Sequence, residues 1–257
     1  MDEHKTKLFI VIPTVNEEKA IGDVLDRCRK AAEELRMSYE RIVVDGKSKD
    51  RTREIAEERG ATVIVQEGKG YGDALKLGFD YAASRSEEGI VVMLDGDNTY
   101  LPEEMPTLIQ PILEERADIV IGNRFAGLKP GSMRYLNRVG NRLLTTLVNI
   151  LFGVSSSDSQ SGYRALTLSS LRKIKLREKG MPFASEMLIK AKKAGLRLLW
   201  VPISYDRRIG KPKLRPIKDG IAILWLYLKL FPRYGRTTAR VLTALLIALA
   251  VVAALYG

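Results

Sequence analysis

The sequence contains very few of the side chains that most often build covalent catalytic sites or zinc sites. Its 257 residues include a single cysteine, Cys28, and a single histidine, His4. One cysteine excludes an internal disulfide bond, and the helical pattern around Cys28 favours a buried thiol over a nucleophile. His4 lies in a polar N-terminal tail. Histidine catalysis and zinc sites built from His and Cys are therefore excluded.

Two common nucleotide-binding motifs are missing as well. No G-x-G-x-x-G follows the first apolar run, and no G-x-x-x-x-G-K-[ST] occurs anywhere. These absences exclude the usual dinucleotide-binding and P-loop sites. The composition, 46% hydrophobic and 28% charged, is typical of a globular protein with one substantial core and some appendages.

The net charge of +11 is concentrated near the C-terminus. From Arg207 onward there are ten basic residues and one acidic residue, so residues 1–206 are close to neutral. This basic tail leads into "VLTALLIALAVVAALY", residues 241–256, in which only Thr243 is polar. At about 1.5 Å per residue the run spans roughly 24 Å, somewhat less than a bilayer's hydrocarbon core of about 30 Å.

The basic flank and the preceding "ILWLYLKLF" favour a membrane segment over a buried C-terminal helix. We therefore predict a catalytic domain over residues 1–215, an interfacial amphipathic helix and linker over 216–238, and a transmembrane segment over 239–257. The shortness of that segment suggests that the natural chain continues. Basic residues before the span place residues 1–240 on the cytoplasmic side of the cell membrane.

The body of the chain alternates predicted strands and helices. "KLFIVIPTV" is followed by an amphipathic helix, and the pattern repeats with "ERIVVD", "ATVIVQ", "GIVVMLD" and "ADIVIGNR" as later strands. Such alternation predicts an α/β fold with a mostly parallel sheet covered on both faces. Ligands bind such sheets at the carboxyl ends of the strands.

Each of the five strands ends in polar or glycine-rich residues. Taken singly, each of these is typical of a turn or a helix cap, but together they predict one site at the sheet edge. In strand order the residues are Pro13, Asn16 and Glu17; Asp45; Gly68, Lys69 and Gly70; Asp95 and Asp97; and Asn123 and Arg124.

Asp95 and Asp97 stand one residue apart in "LDGDNTY". Two carboxylates this close make each other harder to ionise, so a positive group is expected between them. One aspartate beside Gly96 could simply cap backbone amides in a turn, but this role explains a pair of aspartates less well. Carboxylates suit Mg²⁺ or Mn²⁺, and Mg²⁺ is usually held by one or two of them together with substrate phosphates. The pair therefore predicts a divalent-cation site that binds a nucleotide diphosphate.

Six segments resemble, in order and spacing, the motifs of inverting GT-A glycosyltransferases of family two, in particular the dolichol-phosphate mannosyltransferase-like branch. They are "VIPTVNEE", "VVDGKSKDRT", "GKGYGDALKLGF", "LDGDNTYLPEE", "GNRF" and "SQSGYRAL", within residues 7–220. The resemblance implies a Rossmann-like nucleotide-diphospho-sugar transferase fold with C-terminal amphipathic and membrane helices. It also implies metal-dependent transfer, with inversion, from a nucleotide sugar of the GDP-mannose or UDP-glucose type to a polyprenyl or dolichyl phosphate.

The resemblance also implies roles for individual residues. Pro13, Asn16, Glu17 and Asp45 would hold the base and ribose, with Lys69 and Asp73 beside them, and Asp95, Gly96 and Asp97 would form the metal motif. Lys211, Lys213 and Arg208 would close over the donor phosphates. Two positions depart from the family. Asp45 is followed by Gly46-Lys47-Ser48 where Asp-Gly-Ser is common, and Thr99 replaces a metal-binding glutamine.

The acceptor side is basic. Arg134, Arg138 and Arg142 share one helix face by their spacing, and no acidic residue lies between Asp118 and Asp158. The resemblance places Arg124 and Arg138 at the donor diphosphate or the acceptor phosphate, and we add Ser161 and Arg208 to the acceptor contacts. The predicted catalytic residues are Asp97, Arg124, Arg138 and Asp158.

Three alternatives remain at this stage. The first alternative is a family-two transferase whose acceptor is a hydroxyl on a lipid or glycan. Such an acceptor needs a carboxylate base, for which Asp158 and Glu186 are candidates, whereas a lipid phosphate is already ionised at pH 7. A sugar-nucleotide pyrophosphorylase would share the sheet but not the basic tail. A non-enzymatic membrane-surface or nucleic-acid-binding module is disfavoured, because acids at the strand ends would repel a polyanion. No nucleic acid partner is expected.

Overall fold

The structure is a computed structural model that describes residues 6–210, 213 and 215–237. It has an α/β fold in which strands and helices alternate through most of the chain. The elements are β1 Leu8–Thr14, α1 Ile21–Glu34, β2 Tyr39–Asp45, α2 Thr52–Glu58, β3 Thr62–Val65, α3 Tyr71–Arg85, β4 Ile90–Met93, a 3₁₀ turn Pro102–Glu104, α4 Met105–Leu113, β5 Ile119–Leu128, α5 Tyr135–Phe152, β6 Arg164–Thr167, α6 Leu168–Lys173, α7 Phe183–Lys193, β7 Leu198–Tyr205 and α8 Pro216–Tyr234.

The strands form one sheet in the order β3-β2-β1-β4-β6-β5-β7. All neighbouring pairs are parallel except those that involve β6, which runs antiparallel to β4 and to β5. The predicted mostly parallel sheet is confirmed. The β6 strand was not predicted, because its four residues, "RALT", are too few to show a strand period.

Helices cover both faces of the sheet, as the near-continuous apolar strands require. Phe9 and Val11 of β1 point into a core shared with α3, α5, α7 and α8. Leu8, Ile10 and Ile12 point to the opposite face, where α1 and α4 pack. Because β1 is an interior strand and all of its residues except Pro13 are buried, both layers are anchored to it and its carboxyl end is fixed in position.

The last described helix, α8, packs against α5 and leaves an apolar face uncovered. Its exposed hydrophobic residues, as fractions of their full exposure, are Ile217 75%, Ile221 62%, Leu224 40%, Trp225 68% and Leu228 65%. Helix α5 adds Tyr135, Leu136, Val139, Leu143 and Ile150, which are also exposed. None of the helices within residues 6–237 is both long and apolar enough to span a bilayer. The predicted transmembrane segment, residues 239–257, lies outside the described residues.

Candidate active site

The carboxyl ends of β1, β2 and β4 bring their polar residues to one edge of the sheet. Asn16 links two of these ends: its backbone N–H donates to Ser48 Oγ (2.8 Å), and its side-chain oxygen accepts from the Lys49 N–H (2.8 Å). Asp97 follows β4, and both Asp97 and Glu17 interact with the same arginine, Arg208. The convergence expected from a parallel sheet is therefore present.

Asp97 is buried, and one of its two carboxylate oxygens is already occupied by its own turn. Oδ1 accepts hydrogen bonds from the Thr99 N–H (3.0 Å) and the Thr99 hydroxyl (2.6 Å). Oδ2 accepts no hydrogen bond, although the Arg208 guanidinium lies within ion-pair distance. Thr99 thus orients Asp97 so that Oδ2 is directed away from the turn.

Asp95 presents a buried oxygen, Oδ1, which accepts no hydrogen bond among the described residues. A Cβ atom at Gly162 would lie 2.9 Å from the Tyr71 hydroxyl, 3.2 Å from the Tyr100 hydroxyl and 3.3 Å from this oxygen. The Tyr100 hydroxyl accepts the Gly162 N–H at 2.7 Å. The absence of a side chain at Gly162 keeps open the space in front of the Asp95 carboxylate.

The electrostatics around Asp95 favour a bound cation. Burial, together with the nearby charge of Asp97, raises the pKa of Asp95, and the Arg208 guanidinium offsets this only in part. A divalent cation would counteract the shift by stabilising the ionised carboxylates, and it would supply a ligand for Asp95 Oδ1 and Asp97 Oδ2. Within residues 6–237 no group of three or more His, Cys, Asp or Glu side chains could enclose a metal. A bound Mg²⁺ or Mn²⁺ would need phosphate and water as its other ligands.

A basic segment after β7 lies over these acids. The Asp206 N–H donates to the Thr99 carbonyl (2.9 Å), and the Ile209 N–H donates to the Asp97 carbonyl (3.1 Å). Arg208 pairs with Asp97 and lies 3.5 Å from the Glu17 carboxylate. The resemblance predicts that basic residues of this segment close over the donor phosphates. In the structure it contacts the carboxylates directly.

Glu17 and Asp45 are both buried at the predicted donor site. Glu17 receives a salt bridge from Lys213, and its pKa is raised, because burial and the charge of Asp97 together outweigh the opposing effects of Lys213 and Arg208. Asp45 accepts the Ser48 N–H at 3.0 Å and the Ser48 hydroxyl, and Arg53 Nε lies 3.6 Å away. Ser48 lies in the segment that departs from the family pattern, and its contacts orient Asp45.

The remaining predicted donor residues differ in their surroundings. Asp73, at the start of α3, accepts a hydrogen bond from Gln66 Nε2 at 2.9 Å. Lys69 is exposed and Pro13 is half-buried. Gly96 is buried, and a Cβ there would lie 2.7 Å from the Thr14 methyl group, so only glycine fits between the two aspartates. Lys211 lies outside the described residues.

Asp158 and Arg124 form a buried, bidentate ion pair. Arg124 Nε donates to Oδ2 (2.7 Å) and Nη2 donates to Oδ1 (2.9 Å), and the two side chains are 7% and 0% exposed. The Gln160 N–H also donates to Oδ1 at 3.1 Å, and the Arg124 guanidinium stacks on Tyr205. With both its oxygens engaged, Asp158 is placed as the counter-ion of Arg124. Its predicted catalytic role stays a prediction.

Glu186, the other candidate base, is also fully engaged. Its carboxylate accepts the backbone N–H groups of Arg177 (2.9 and 3.0 Å) and Glu178 (2.8 Å) and a salt bridge from Lys190 (2.6 Å). It is 1% exposed at the start of α7. Its contacts fix the loop before α7, so the structure offers no free carboxylate at either position.

Of the four predicted acceptor contacts, Arg138 is the one with an available side chain. Its side chain is exposed on α5, and no hydrogen bond or ion pair of this side chain is found in the part of the chain that the structure describes. Arg124 and Arg208 are held by aspartates, and Ser161 is completely buried, with its hydroxyl 3.4 Å from the Tyr163 N–H.

Sequence reasoning missed two tyrosines that support the site, whereas the resemblance already implies that Arg164 belongs to the wall of the acceptor site. Tyr71 and Tyr100 frame Asp95, and their only sequence signal is their place inside two of the recognised segments. Arg164 is completely buried and donates to the carbonyls of Ser161 (2.9 Å), Ser159 (3.0 Å) and Ala184 (2.8 Å). It ties the turn before β6 to α7.

The fold and these motifs define a glycosyltransferase of the GT-A type. The sequence model described as "Glycosyl transferase family 2" matches residues 9–174, and the chain belongs to this family of glycosyltransferases. Among solved structures it is similar to glucosyl-3-phosphoglycerate synthase from Mycobacterium tuberculosis, crystallised with Mn²⁺, UDP and glucosyl-3-phosphoglycerate. The TM-score is 0.72 and the identity 23%, over 89% of this chain and 81% of that one.

Several relatives in archaea and bacteria are more similar in sequence. The low-salt glycan biosynthesis hexosyltransferase Agl6 of Haloferax volcanii is 39% identical over 83% of this chain, which spans about half (51%) of that relative. The dolichyl-phosphate hexose transferase of the same organism is 36% identical over 84% of this chain and 90% of its own length. The undecaprenyl-phosphate mannosyltransferase of Micrococcus luteus is 30% identical over 81% and 87%.

Proposed function

We propose that this protein transfers a sugar from a nucleotide sugar to a polyprenyl or dolichyl phosphate, with a divalent cation and with inversion at the anomeric carbon. One observation carries the proposal: in the metal motif, Asp95 Oδ1 and Asp97 Oδ2 are buried oxygens that accept no hydrogen bond within the described residues, and only the Asp97 oxygen has a charged contact, to Arg208. Buried acceptors of this kind require a partner, and a metal-bound nucleotide diphosphate would supply one. The names of the relatives point to the same reaction class.

A bound Mg²⁺ or Mn²⁺ would stabilise the negative charge that develops on the departing nucleotide diphosphate. Asp95 and Asp97 would hold this ion, while Glu17 and Asp45 would bind the ribose and base. In the reaction, an oxygen of the lipid phosphate forms a bond to the anomeric carbon as the bond from that carbon to the diphosphate breaks. Arg138, which is exposed and unpaired in the described residues, would position the acceptor phosphate.

The state of the carboxylates favours a phosphate acceptor over a hydroxyl acceptor. A hydroxyl nucleophile requires a positioned base, but Asp158 is bound by Arg124 and Glu186 is bound by backbone amides and Lys190. A phosphate needs no such base, because it is already ionised at neutral pH.

The apolar faces of α5 and α8 support a site next to the membrane. Their exposed residues include Tyr135, Leu136, Ile217 and Trp225; Arg134 directly precedes α5, and Arg138 lies on it. Apolar side chains bordered by arginines are typical of helices that lie in the headgroup region of an anionic membrane. We propose that this surface rests on the cytoplasmic face of the cell membrane, where the lipid phosphate headgroup is presented.

The proposal is tested by a transfer screen. Purified protein in detergent receives GDP- or UDP-sugars, Mg²⁺ or Mn²⁺, and a polyprenyl phosphate, and the lipid fraction is analysed for a phosphate-linked sugar. We expect one donor to give a metal-dependent product of inverted configuration. Asp97→Asn should abolish it, and Asp26→Asn, which changes a surface acid paired with Arg59, should not. Nucleotide release without a lipid product would contradict the proposed acceptor, and a retained configuration would contradict the mechanism.

A further inference from the structure

The segment made of residues 206–210 together with Lys213, called here the basic arm, lies along the metal motif. Two of its backbone N–H groups, those of Asp206 and Ile209, donate to the carbonyls of Thr99 and Asp97. A Cβ at Gly210, whose φ of +97° favours glycine, would lie 3.5 Å from Glu17 Oε2. The arm is therefore joined to the turn that carries Asp97 through the backbone as well as through its side chains.

The side chains of the arm neutralise the acids beneath it. Arg208 pairs with Asp97 Oδ2 and lies near Glu17, and Lys213 pairs with Glu17. Arg208 is 27% exposed, whereas Asp97 and Glu17 are 1% and 6% exposed. Burial lowers the pKa of Arg208, but the carboxylates of Asp97, Asp95 and Glu17 outweigh it and leave this pKa raised, so the arginine stays charged.

Arg208 contacts the same oxygen that a metal would need. Thr99 occupies Asp97 Oδ1, so Oδ2 is the oxygen left for coordination. A metal–oxygen bond of about 2.1 Å for Mg²⁺ leaves no room for a guanidinium on the same side of that atom. Coordination by Asp97 Oδ2 and its ion pair with Arg208 therefore exclude each other.

We propose that Arg208 is a built-in competitor of the divalent cation: in the ligand-free protein it takes the position between Asp97 and Glu17, and the metal binds only when the arm withdraws. The inference rests on the proposed metal-dependent transfer. Free metal then binds weakly. A nucleotide diphosphate offers Arg208 a new anionic partner, so metal and nucleotide assist each other's binding.

The test measures Mn²⁺ binding to the full chain without nucleotide, using the loss of the EPR signal of free Mn²⁺. The proteins are wild type, Arg208→Gln, Arg208→Lys and Asp97→Asn. Arg207→Gln is the matched control, because it removes the same charge from the neighbouring residue. The Arg207 side chain is exposed and donates to the Pro130 carbonyl at 3.4 Å.

We expect Arg208→Gln to bind Mn²⁺ about five- to tenfold more tightly than wild type, because a partly exposed charged contact no longer competes. Arg208→Lys should remain close to wild type, and so should Arg207→Gln. If Arg208→Gln binds Mn²⁺ no more tightly than wild type, this inference is overturned. If wild type binds Mn²⁺ and Asp97→Asn does not, the proposed metal site still stands. No Mn²⁺ binding by wild type or by Arg208→Gln would overturn this inference alone, because the metal would then need the nucleotide diphosphate in order to bind; the metal dependence of the proposed function is decided separately by the transfer screen.

Discussion

Asp158→Asn distinguishes a structural carboxylate from a catalytic one. Asp158 accepts bonds from the Nε (2.7 Å), Nη2 (2.9 Å) and backbone N–H (3.2 Å) of Arg124, and both side chains are buried. An asparagine keeps the shape but cannot neutralise the guanidinium. Removing one partner of a buried ion pair costs about 3–5 kcal/mol. This is a large part of the roughly 5–15 kcal/mol by which a domain is stable.

The chain contains a matched control for this prediction. Asp118 accepts the same three groups of Arg197, namely Nε (3.0 Å), Nη2 (3.0 Å) and the backbone N–H (2.7 Å), but the side chains of Arg197 and Asp118 are 55% and 24% exposed. Asp118→Asn should therefore cost only about 0–1 kcal/mol. The two substitutions differ in burial and hardly at all in hydrogen-bond geometry.

The assay is thermal unfolding in detergent, followed by tryptophan fluorescence, in parallel with the transfer assay. We expect Asp158→Asn to lower Tm by about 6–20 °C and Asp118→Asn by at most about 4 °C, from the roughly 2–4 °C per kcal/mol typical of a chain of about this size. An Asp158→Asn protein that keeps the wild-type Tm but makes no product would refute the reasoning. Asp158 would then be a base, and the acceptor would be a hydroxyl.

Three further outcomes are expected. Gly162→Ala places a methyl group 2.9 Å from the Tyr71 hydroxyl, so the variant should bind the Mn²⁺–nucleotide complex more weakly in calorimetry. The control Gly140→Ala, in open space on α5, should raise Tm slightly and leave this binding unchanged. Equal affinity of the two variants for the Mn²⁺–nucleotide complex would contradict the role assigned to Gly162. Burial raises the pKa of Cys28 to about 12, so a thiol reagent at pH 8 should label it only after unfolding, and rapid labelling of folded protein would show that the thiol is accessible. Burial raises the pKa of Glu40, but hydrogen bonds from Lys7 and Tyr81 outweigh burial and lower this pKa, so the stabilisation from Glu40 is full above its ordinary pKa of 4.5 and is lost as the pH falls through the lowered pKa. Glu40→Gln should cost about 1 kcal/mol in urea unfolding at pH 7 and nearly nothing at strongly acidic pH. A cost that does not change with pH would disprove the assignment.

Local patterns were sufficient to predict the parallel part of the sheet and its active edge. Short apolar runs rich in β-branched residues, such as "FIVI" and "IVVM", favour buried strands, and alternation with helices makes neighbouring strands parallel. Asn16, Asp45 and Asp97 were therefore expected at the same edge. The antiparallel strand β6 could not be predicted in this way. It pairs with β4 and β5 from a distant position in the chain, and that pairing depends on long-range hydrogen bonds.

The sequence by itself determined which side chains are present at the site: two aspartates one residue apart, several arginines, and no usable histidine or cysteine. Only the tertiary structure decided their partners. It bound Asp158 to Arg124, enclosed Glu186 among backbone amides, and set Arg208 against Asp97, a residue 111 positions earlier in the chain. The physical reason is that a charge is free or occupied according to what folding brings within a few ångströms of it, and separation along the chain does not fix that distance.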